Sequence, residues 1–513
     1  MIGIEFARSR PTISTSAVVT IVGALLGVVF YTLISARVLS NLTIPFFGME
    51  IYDQLFLALR DGRLDLPARV LRFEGHYWPD GTAHLYHGMA PLLTRVLLAP
   101  FVEIGTVSLA PVSVWFWGTL GTFCWHMSFA EIARKHWPED GRAGAVWAAV
   151  LALLVWLCAP GLLLVVNFVL YNEPIVVAYA LTAAFVLVWT RTVARERPIA
   201  NVLWLLALLA AIAVHARPNV AVGLYAGTVF AAGLVLLRDR WRAVRPALLA
   251  MAILFAGGVA FLGLNAAKFG NVGQTHGTFE ADGVQYGTTF WGADNIEGKK
   301  AAAFIEHGRF NLARIPANLM VYGAAPPQLL ASRSYDRVVA LHASLTEDRL
   351  GFIRIEKPGA GAIFLWTGFC VLAGIGLCSG IARLRPYAGL VLAAGTIAVV
   401  TLSYGTITLR YHVEIFPIIG VLALVGCGRF APWAARARSK IAVGFLALVV
   451  CAVGAVSSGA TALYSSVLLN EDPGTFFEPW SEEMCLDHTG QKNFAEARAR
   501  QICRQPYGPA GAR

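Results

Sequence analysis

The sequence predicts an all-α, polytopic integral membrane protein of about eleven transmembrane helices, and three observations predict it. Hydrophobic residues make up 57% of the 513 and charged residues only 14%, too little polar surface to keep a folded chain of this size dispersed in water. Long apolar stretches recur along the chain, each near the roughly 20 residues that cross a hydrocarbon core of about 30 Å. Basic residues cluster in every second short segment between these stretches, as the positive-inside rule requires.

The apolar stretches fall at about 17–36, 107–130, 143–166, 174–190, 201–216, 218–237, 247–264, 362–382, 386–403, 412–428 and 441–463. Within 143–190 the division rests on a turn near Pro160. The basic clusters are Arg8 and Arg10; Arg134, Lys135 and Arg142; Arg191, Arg195 and Arg197; Arg238, Arg240, Arg242 and Arg245; Arg383 and Arg385; and Arg429, Arg436, Arg438 and Lys440. This alternation puts the amino terminus inside and the carboxyl terminus outside. It also makes the net charge of +10 a topology signal and not a nucleic-acid footprint. The first stretch follows Arg8 and Arg10 and has no small-x-small cleavage site, so it reads as a retained anchor. The most natural setting is a bacterial inner membrane. Six cysteines lie in apolar stretches, where Cys behaves as a small hydrophobe. Cys485 and Cys503 lie in the polar tail on the oxidising side and are expected to form a disulfide.

The predicted inner segments are about 8–15 residues long, too short for a nucleotide-binding domain, and carry no P-loop or GxGxxG turn. The outer face holds a first loop of roughly 40–106, a long loop of roughly 265–361 and a tail of 464–513, so the transmembrane domain is 1–463. A chain that places its polar residues on one side is expected to work there. In the first loop, Tyr52, Leu55, Phe56 and Leu59 repeat at helical spacing after Glu50, as do Leu92, Leu93, Val96, Leu97 and Phe101 after Pro91. Both runs predict amphipathic helices along the membrane interface. Between them, Gly75 to Thr82 is an aromatic segment with a Pro-Asp-Gly turn. The long loop opens at Asn265 and is rich in Gly, Asn and aromatic residues through Trp291, with a further surface helix over Asp336 to Arg349.

The order of these features resembles a known superfamily. An anchor helix leads into an acidic residue, Asp53, on an amphipathic helix, followed by Asp61-Gly62-Arg63-Leu64, the aromatic turn and His87-Gly88-Met89-Ala90-Pro91-Leu92-Leu93. Later come Tyr171-Asn172-Glu173 opening a span, Ala216-Arg217-Pro218-Asn219 closing one, and Leu409-Arg410-Tyr411-His412 before a span with Pro417. Over roughly residues 15–430 this resembles the GT-C superfamily of polyprenyl-phosphate-sugar glycosyltransferases. That group includes protein mannosyltransferases, the aminoarabinose transferase of lipid A and rhizobial galacturonosyltransferases. The resemblance implies an inverting transfer of a sugar from a polyprenyl-phosphate donor to an extracytoplasmic glycan or lipid, with the first-loop Asp as general base. Protein mannosyltransferases carry adjacent Asp-Glu where Glu50 and Asp53 here are three apart, which argues against a protein acceptor.

Candidate residues follow from that chemistry. A base must take the acceptor hydroxyl's proton, and Asp53 is the first choice with Glu50 its competitor. The alternative is that Asp53 only solvates its helix or pairs with Arg60 or Arg63. The leaving phosphate needs cations, for which Arg410 at the outer end of a span is the best placed, with no acidic residue nearer in sequence than Glu414. Arg217 and Lys268 come next, although snorkelling to head groups would also place them there. His412 belongs to the same motif. Glu173 either holds donor sugar hydroxyls or, slightly favoured, caps its helix. His76, His84 and His87 have spacings that suit no standard metal site and read as surface or lipid-phosphate contacts. Tyr77, Trp78 and Trp291 stack on sugars or belong to the interfacial aromatic belt. No cofactor is implied. Rival readings are an oligosaccharide ligase or polymerase using His276, His307 and Arg309 in the long loop, a transporter or flippase, and an envelope scaffold. Reporter fusions after Arg142, Arg245 and Arg438 are expected to report cytoplasm, and fusions near Gly81, Gly308 and Gly490 the outside. Reversal at two or more of these sites would refute the topology.

Overall fold

The computed structural model describes residues 14–40, 48–71, 75–77, 83–137, 142–273, 296–436 and 440–471. Most of them are helical: α1 (Thr15–Ser40), α2 (Ile51–Arg60), α3 (Ala68–Leu71), α4 (Leu92–Leu98), α5 (Ala110–His136), α6 (Arg142–Cys158), α7 (Gly161–Leu164), α8 (Asn172–Ala194), α9 (Leu203–Ala213) and α10 (Pro218–Asp239) in the first half. The second half adds α11 (Val244–Phe269), α12 (Ile296–His307), α13 (Ile315–Ala324), α14 (Gln328–Leu350), α15 (Ala362–Leu365), α16 (Thr367–Leu377), α17 (Ile381–Leu384), α18 (Ala388–Ser403), α19 (Leu409–Arg436) and α20 (Lys440–Glu471). Two short ladders complete it: β1 (Gly75–Tyr77) antiparallel to β2 (Ala83–Leu85), and β3 (Arg354–Ile355) parallel to β4 (Thr406–Ile407).

Hydrocarbon offers the backbone no partners, so an apolar chain that enters it must satisfy its own N–H and C=O groups as helix. Seven segments among the described residues are long and apolar enough to cross a membrane, and the protein is an all-α membrane protein. One of them, Pro218–Phe269, is 52 residues long and contains both α10 and α11, joined by a 3-10 turn at Arg240–Ala243. The predicted stretch 107–130 falls mostly on the 27-residue α5, which is long enough to cross but is not among those seven apolar segments. Those at 201–216 and 362–382 yield α9 and α16, each of 11 residues, short of a full crossing. Several predicted boundaries move, among them the ends of α11 and α20. Helix α11 continues through Asn265 to Phe269, ending where Gly270 takes a left-handed conformation (φ 67°), and α20 runs past 463 to Glu471. In 143–190 the division is at Pro160, with α6 stopping at Cys158 and α8 starting at Asn172.

The bundle is held by α5 against α8, α16 against α19, α10 against α18, α9 against α11 and α1 against α6. Small residues set the closest of these approaches. A Cβ on Gly426 would lie 1.8 Å from the Leu372 carbonyl oxygen, and one on Gly376 2.0 Å from that of Leu422, so α16 and α19 touch backbone to backbone.

The predicted first-loop helices exist as α2 and α4, and the predicted surface helix lies within α14. On α4 the apolar side chains Val96 and Leu97 are 58% and 61% exposed, while Arg95 is fully buried. The apolar face of α4 thus turns outward while its cation turns into the protein. The loop-bearing end of the bundle gathers α2, α4, the β1–β2 ladder and the long loop. There Asn318 of α13 donates to the carbonyls of Leu402 (2.7 Å) and Tyr404 (3.0 Å), tying the long loop to the α18–α19 connection. The opposite end carries Glu131 with Arg134, Arg191 and Arg195 around it, so two predicted basic segments meet there. The Pro-Asp-Gly turn, Trp78, His276, Trp291 and the Cys485–Cys503 pair lie outside the described residues.

Candidate functional site

At the loop-bearing end, one arginine joins three helices. Arg95 of α4 donates from Nε to Asp53 Oδ1 of α2 (2.9 Å), and its two terminal nitrogens fork onto Glu173 at the start of α8, Nη2 to Oε1 at 3.1 Å and Nη1 to Oε2. The second Asp53 oxygen accepts the backbone N–H of Leu109 at 3.1 Å, just before α5. All three side chains are buried, Asp53 at 2% exposure. Burial pushes the Asp53 carboxyl above its ordinary range, and Arg95 and the Leu109 amide pull the other way. Burial alone would lower the Arg95 guanidinium, but the two carboxylates more than offset it and raise it. A planar fork that meets one carboxylate with two nitrogens and a second with its third is geometry that only arginine supplies.

This arrangement corrects several expectations. Glu173 makes no side-chain cap to its helix; its carboxylate belongs to Arg95. Asp53 pairs with neither Arg60 nor Arg63, and Arg63 instead meets Asp65 at 3.1 Å. The two candidate bases are placed differently: Glu50 precedes α2 as an exposed residue while Asp53 faces the core. Arg95 itself escaped sequence reading because it sat inside an apolar run that looked like a simple lipid-facing helix. An unexplained cation in such a run was the available signal.

From this clamp the chain leads to a second set of charges. The Tyr52 hydroxyl, beside Asp53, donates to the Gly88 carbonyl at 3.0 Å, and Arg95 lies over the Tyr52 ring. Gly88 is pressed on the α9–α10 junction: a Cβ there would sit 2.1 Å from the His215 carbonyl oxygen, which also accepts the Ala90 N–H at 2.7 Å. Two residues on is Arg217, which donates to Glu414 Oε1 from Nε and Nη2, both at 2.8 Å. Asn219 (2.5 Å) and Thr401 (3.1 Å) donate to the other Glu414 oxygen. Arg410 pairs with Glu356 through Nη2 at 2.9 Å, and Arg354 reaches the same carboxylate at 3.3 Å. Tyr411 lies between the two guanidiniums, 4.9 Å from that of Arg217 and 5.6 Å from that of Arg410, and Arg410 also covers Tyr171 at 4.7 Å.

Arg217 and Arg410 are therefore neither head-group snorkels nor sealed salt bridges. Their side chains are 18% and 20% exposed, and the buried Arg410 Nε has no hydrogen-bond partner among the described residues. The nearest carboxylate to Arg410 is Glu356, contributed from the long loop, and sequence proximity to Glu414 misled on this point. Burial would raise the Glu356 carboxyl, but Arg410 and Arg354 bring it below its usual range, so it stays an anion. Arg217, Arg410 and Arg354 set against Glu356 and Glu414 leave an excess of one positive charge, before Lys268 is added.

Lys268 does not snorkel; it is buried and donates from Nζ to the Leu85 carbonyl at 3.1 Å, which seats β2 on the end of α11. The first-loop histidines are not at the surface either, because β1 and β2 fold inward onto α11. His76 is buried between Tyr86 and Phe269, at ring distances of 5.3 and 5.1 Å, and burial together with nearby Arg309, His84 and Lys268 pushes it down to about 3. His87 is likewise lowered, by burial first and then by Arg217, Arg410 and Lys268, and is neutral beside those cations. His412 turns away from Arg410 and packs on Tyr322 at 4.5 Å, its Nδ1 donating to the Thr408 carbonyl at 3.1 Å. Arg309 lies over Phe310 and Tyr404, and the His307 ring is 3.7 Å from Glu306. Among the described residues no group of three His, Cys, Asp or Glu is placed to hold a metal ion.

Comparisons of the chain with protein-family models, with curated proteins and with solved structures found no match.

Replacing Arg95 by Met strands two buried carboxylates and is expected to destabilise the detergent-solubilised protein by about 3–5 kcal/mol. Arg63→Met, which removes a half-exposed pair, should cost no more than about 1 kcal/mol. Equal stability losses in the two variants would show that Arg95 is not a structural clamp.

Proposed function

We propose that this protein is a GT-C-type glycosyltransferase that transfers a sugar from a polyprenyl-phosphate donor to an extracytoplasmic cell-envelope glycan or lipid, with inversion. The observation that carries the reading is the pair of half-buried arginines, Arg217 and Arg410, held around Tyr411 at the loop-bearing end of the membrane helices. A phosphate on a lipid tail arrives at that depth by lateral diffusion in the bilayer. Fixed guanidiniums with a net positive environment are what a departing phosphate needs. We further propose that the chain crosses an inner membrane eleven times with the amino terminus inside. The crossings would be α1, α5, α6 with α7, α8, α9, α10, α11, α16, α18, α19 and α20, with the shorter α9 and α16 completed by their flanking turns.

In the proposed step the acceptor oxygen bonds to the anomeric carbon while the bond from that carbon to the phosphate oxygen breaks. The electron pair leaves with the polyprenyl phosphate, beside Arg217 and Arg410, and the hydroxyl proton passes to a carboxylate. Asp53 is the proposed base. In the structure it is engaged on both oxygens, so it acts only by releasing the Leu109 amide while Arg95 retains the other oxygen. Glu50, exposed one turn away, is the competitor. Tyr171, beside Arg410, supplies a ring against which a sugar can stack.

Arg410→Ala is expected to weaken donor use at least ten-fold, about 1.4 kcal/mol, with Arg410→Lys a partial rescue because an ammonium lacks the planar fork. Unchanged donor affinity in Arg410→Ala would remove the phosphate role. Asp53→Asn, compared at matched folded fraction, should lose about 10²–10⁴-fold in rate and Glu50→Gln much less. Because burial raises the Asp53 carboxyl, the acid limb of kcat/KM should lie above the ordinary carboxylate range of about 4, with activity falling as pH drops through it. A dead Glu50→Gln beside an active Asp53→Asn would assign the base to Glu50.

A further inference from the structure

The end of the bundle opposite the candidate site carries a separate charge cluster that sugar transfer does not use. Glu131, in the last turns of α5, is 7% exposed, and three guanidiniums converge on it. Arg134 reaches Oε2 at 2.5 Å, while Arg195 and Arg191 reach Oε1 at 2.7 and 3.3 Å. Three cations on one carboxylate leave an excess of two positive charges, concentrated where α5 and α8 both end. Helix carboxyl termini hold cations there but do not neutralise them.

Two of the three arginines are not consumed by the carboxylate. The side chains of Arg134 and Arg191 are 54% and 55% exposed, so each offers guanidinium nitrogens outward while Glu131 fixes its position. The level of this cluster in the membrane is marked independently. Trp137, directly after α5, packs edge-on to Trp147 at 5.9 Å, and Trp147 to Phe430 at 5.3 Å, an aromatic girdle of the kind found at head-group depth. An oriented set of arginines at that depth, with residual positive charge, matches a lipid phosphodiester.

We propose that Glu131, Arg134, Arg191 and Arg195 form a binding site for the phosphodiester head group of an anionic phospholipid. Glu131 acts as the positioning residue that holds the guanidiniums in a fan. This site is independent of the transferase reading, since it lies at the other end of the helices and contacts none of its residues.

The test is the affinity of the purified full-length protein in detergent for phosphatidylglycerol, with phosphatidylcholine and inorganic phosphate as parallel arms. The proposal expects selective binding of phosphatidylglycerol and a loss of about ten-fold or more in Arg134→Gln/Arg191→Gln, since each basic residue at a membrane surface attracts anionic lipid. Arg242→Gln/Arg245→Gln removes two exposed arginines held by no carboxylate among the described residues, and should have little effect. Glu131→Gln adds positive net charge, so unspecific attraction would strengthen binding; a site that needs its guanidiniums positioned should weaken instead. Equal losses in the two double variants, tighter binding in Glu131→Gln, equal binding of phosphatidylcholine, or full reproduction by inorganic phosphate would each overturn the proposal.

Discussion

The loop-bearing end of the structure depends on one buried guanidinium. Arg95 cannot be placed in a protein interior without compensation, since an isolated buried charge costs several kcal/mol even after relaxation. It is compensated by carboxylates from α2 and α8, which forces the first loop to lie on the bundle in one orientation. Everything downstream inherits that constraint. Tyr52 reaches the Gly88 carbonyl, Gly88 meets the backbone at His215 and Ala216, and the next residue of that junction is Arg217. A clamp formed in α4 thus fixes the position of a cation on the neighbouring site.

The two arginine clusters of this end differ in kind. Around Arg95 the charges are sealed, and the clamp carries one more carboxylate than it has cations. Around Arg217 and Arg410 the carboxylates orient the guanidiniums but leave part of each accessible, with cations in excess. The first pattern suits stability and the second suits reception of an anion. Asp53 sits in the first, which is why the proposed base must give up a contact before it can take a proton.

Much of the fold was legible in the sequence, because hydrocarbon imposes a simple rule: apolar runs become helices. Every predicted stretch falls mostly on helix, and the short runs after Glu50 and Pro91 became α2 and α4. Crossing number was less legible. Length and composition mark seven segments, one of which holds both α10 and α11, while α9 and α16 are too short and α5 is not apolar enough to be counted on that basis. The site was legible only as a set of residues. Arg217 and Arg410 could be picked from their positions at span ends, but their partners and the ring of Tyr411 beside them could not. Arg95 lies 42 positions from Asp53 and 78 from Glu173, and such distances leave no periodicity to read. Glu356 approaches Arg410 because β3 pairs with β4, a ladder of two residues per strand that no sequence pattern announces. The histidines of the first loop were misplaced for a related reason: nothing local reveals that β2 folds against the end of α11 and buries them.

The central claim is that the Arg217–Arg410 pair receives the phosphate of a lipid carrier. It is tested most directly by comparing, in nanodiscs, the affinity of the protein for a polyprenyl monophosphate and for the corresponding polyprenol. The tails are identical, so the difference isolates the phosphate. The account predicts that the phosphate binds at least ten-fold more tightly, about 1.4 kcal/mol, the scale of a single charge-assisted hydrogen bond. Equal affinity for the phosphate and the alcohol would contradict it.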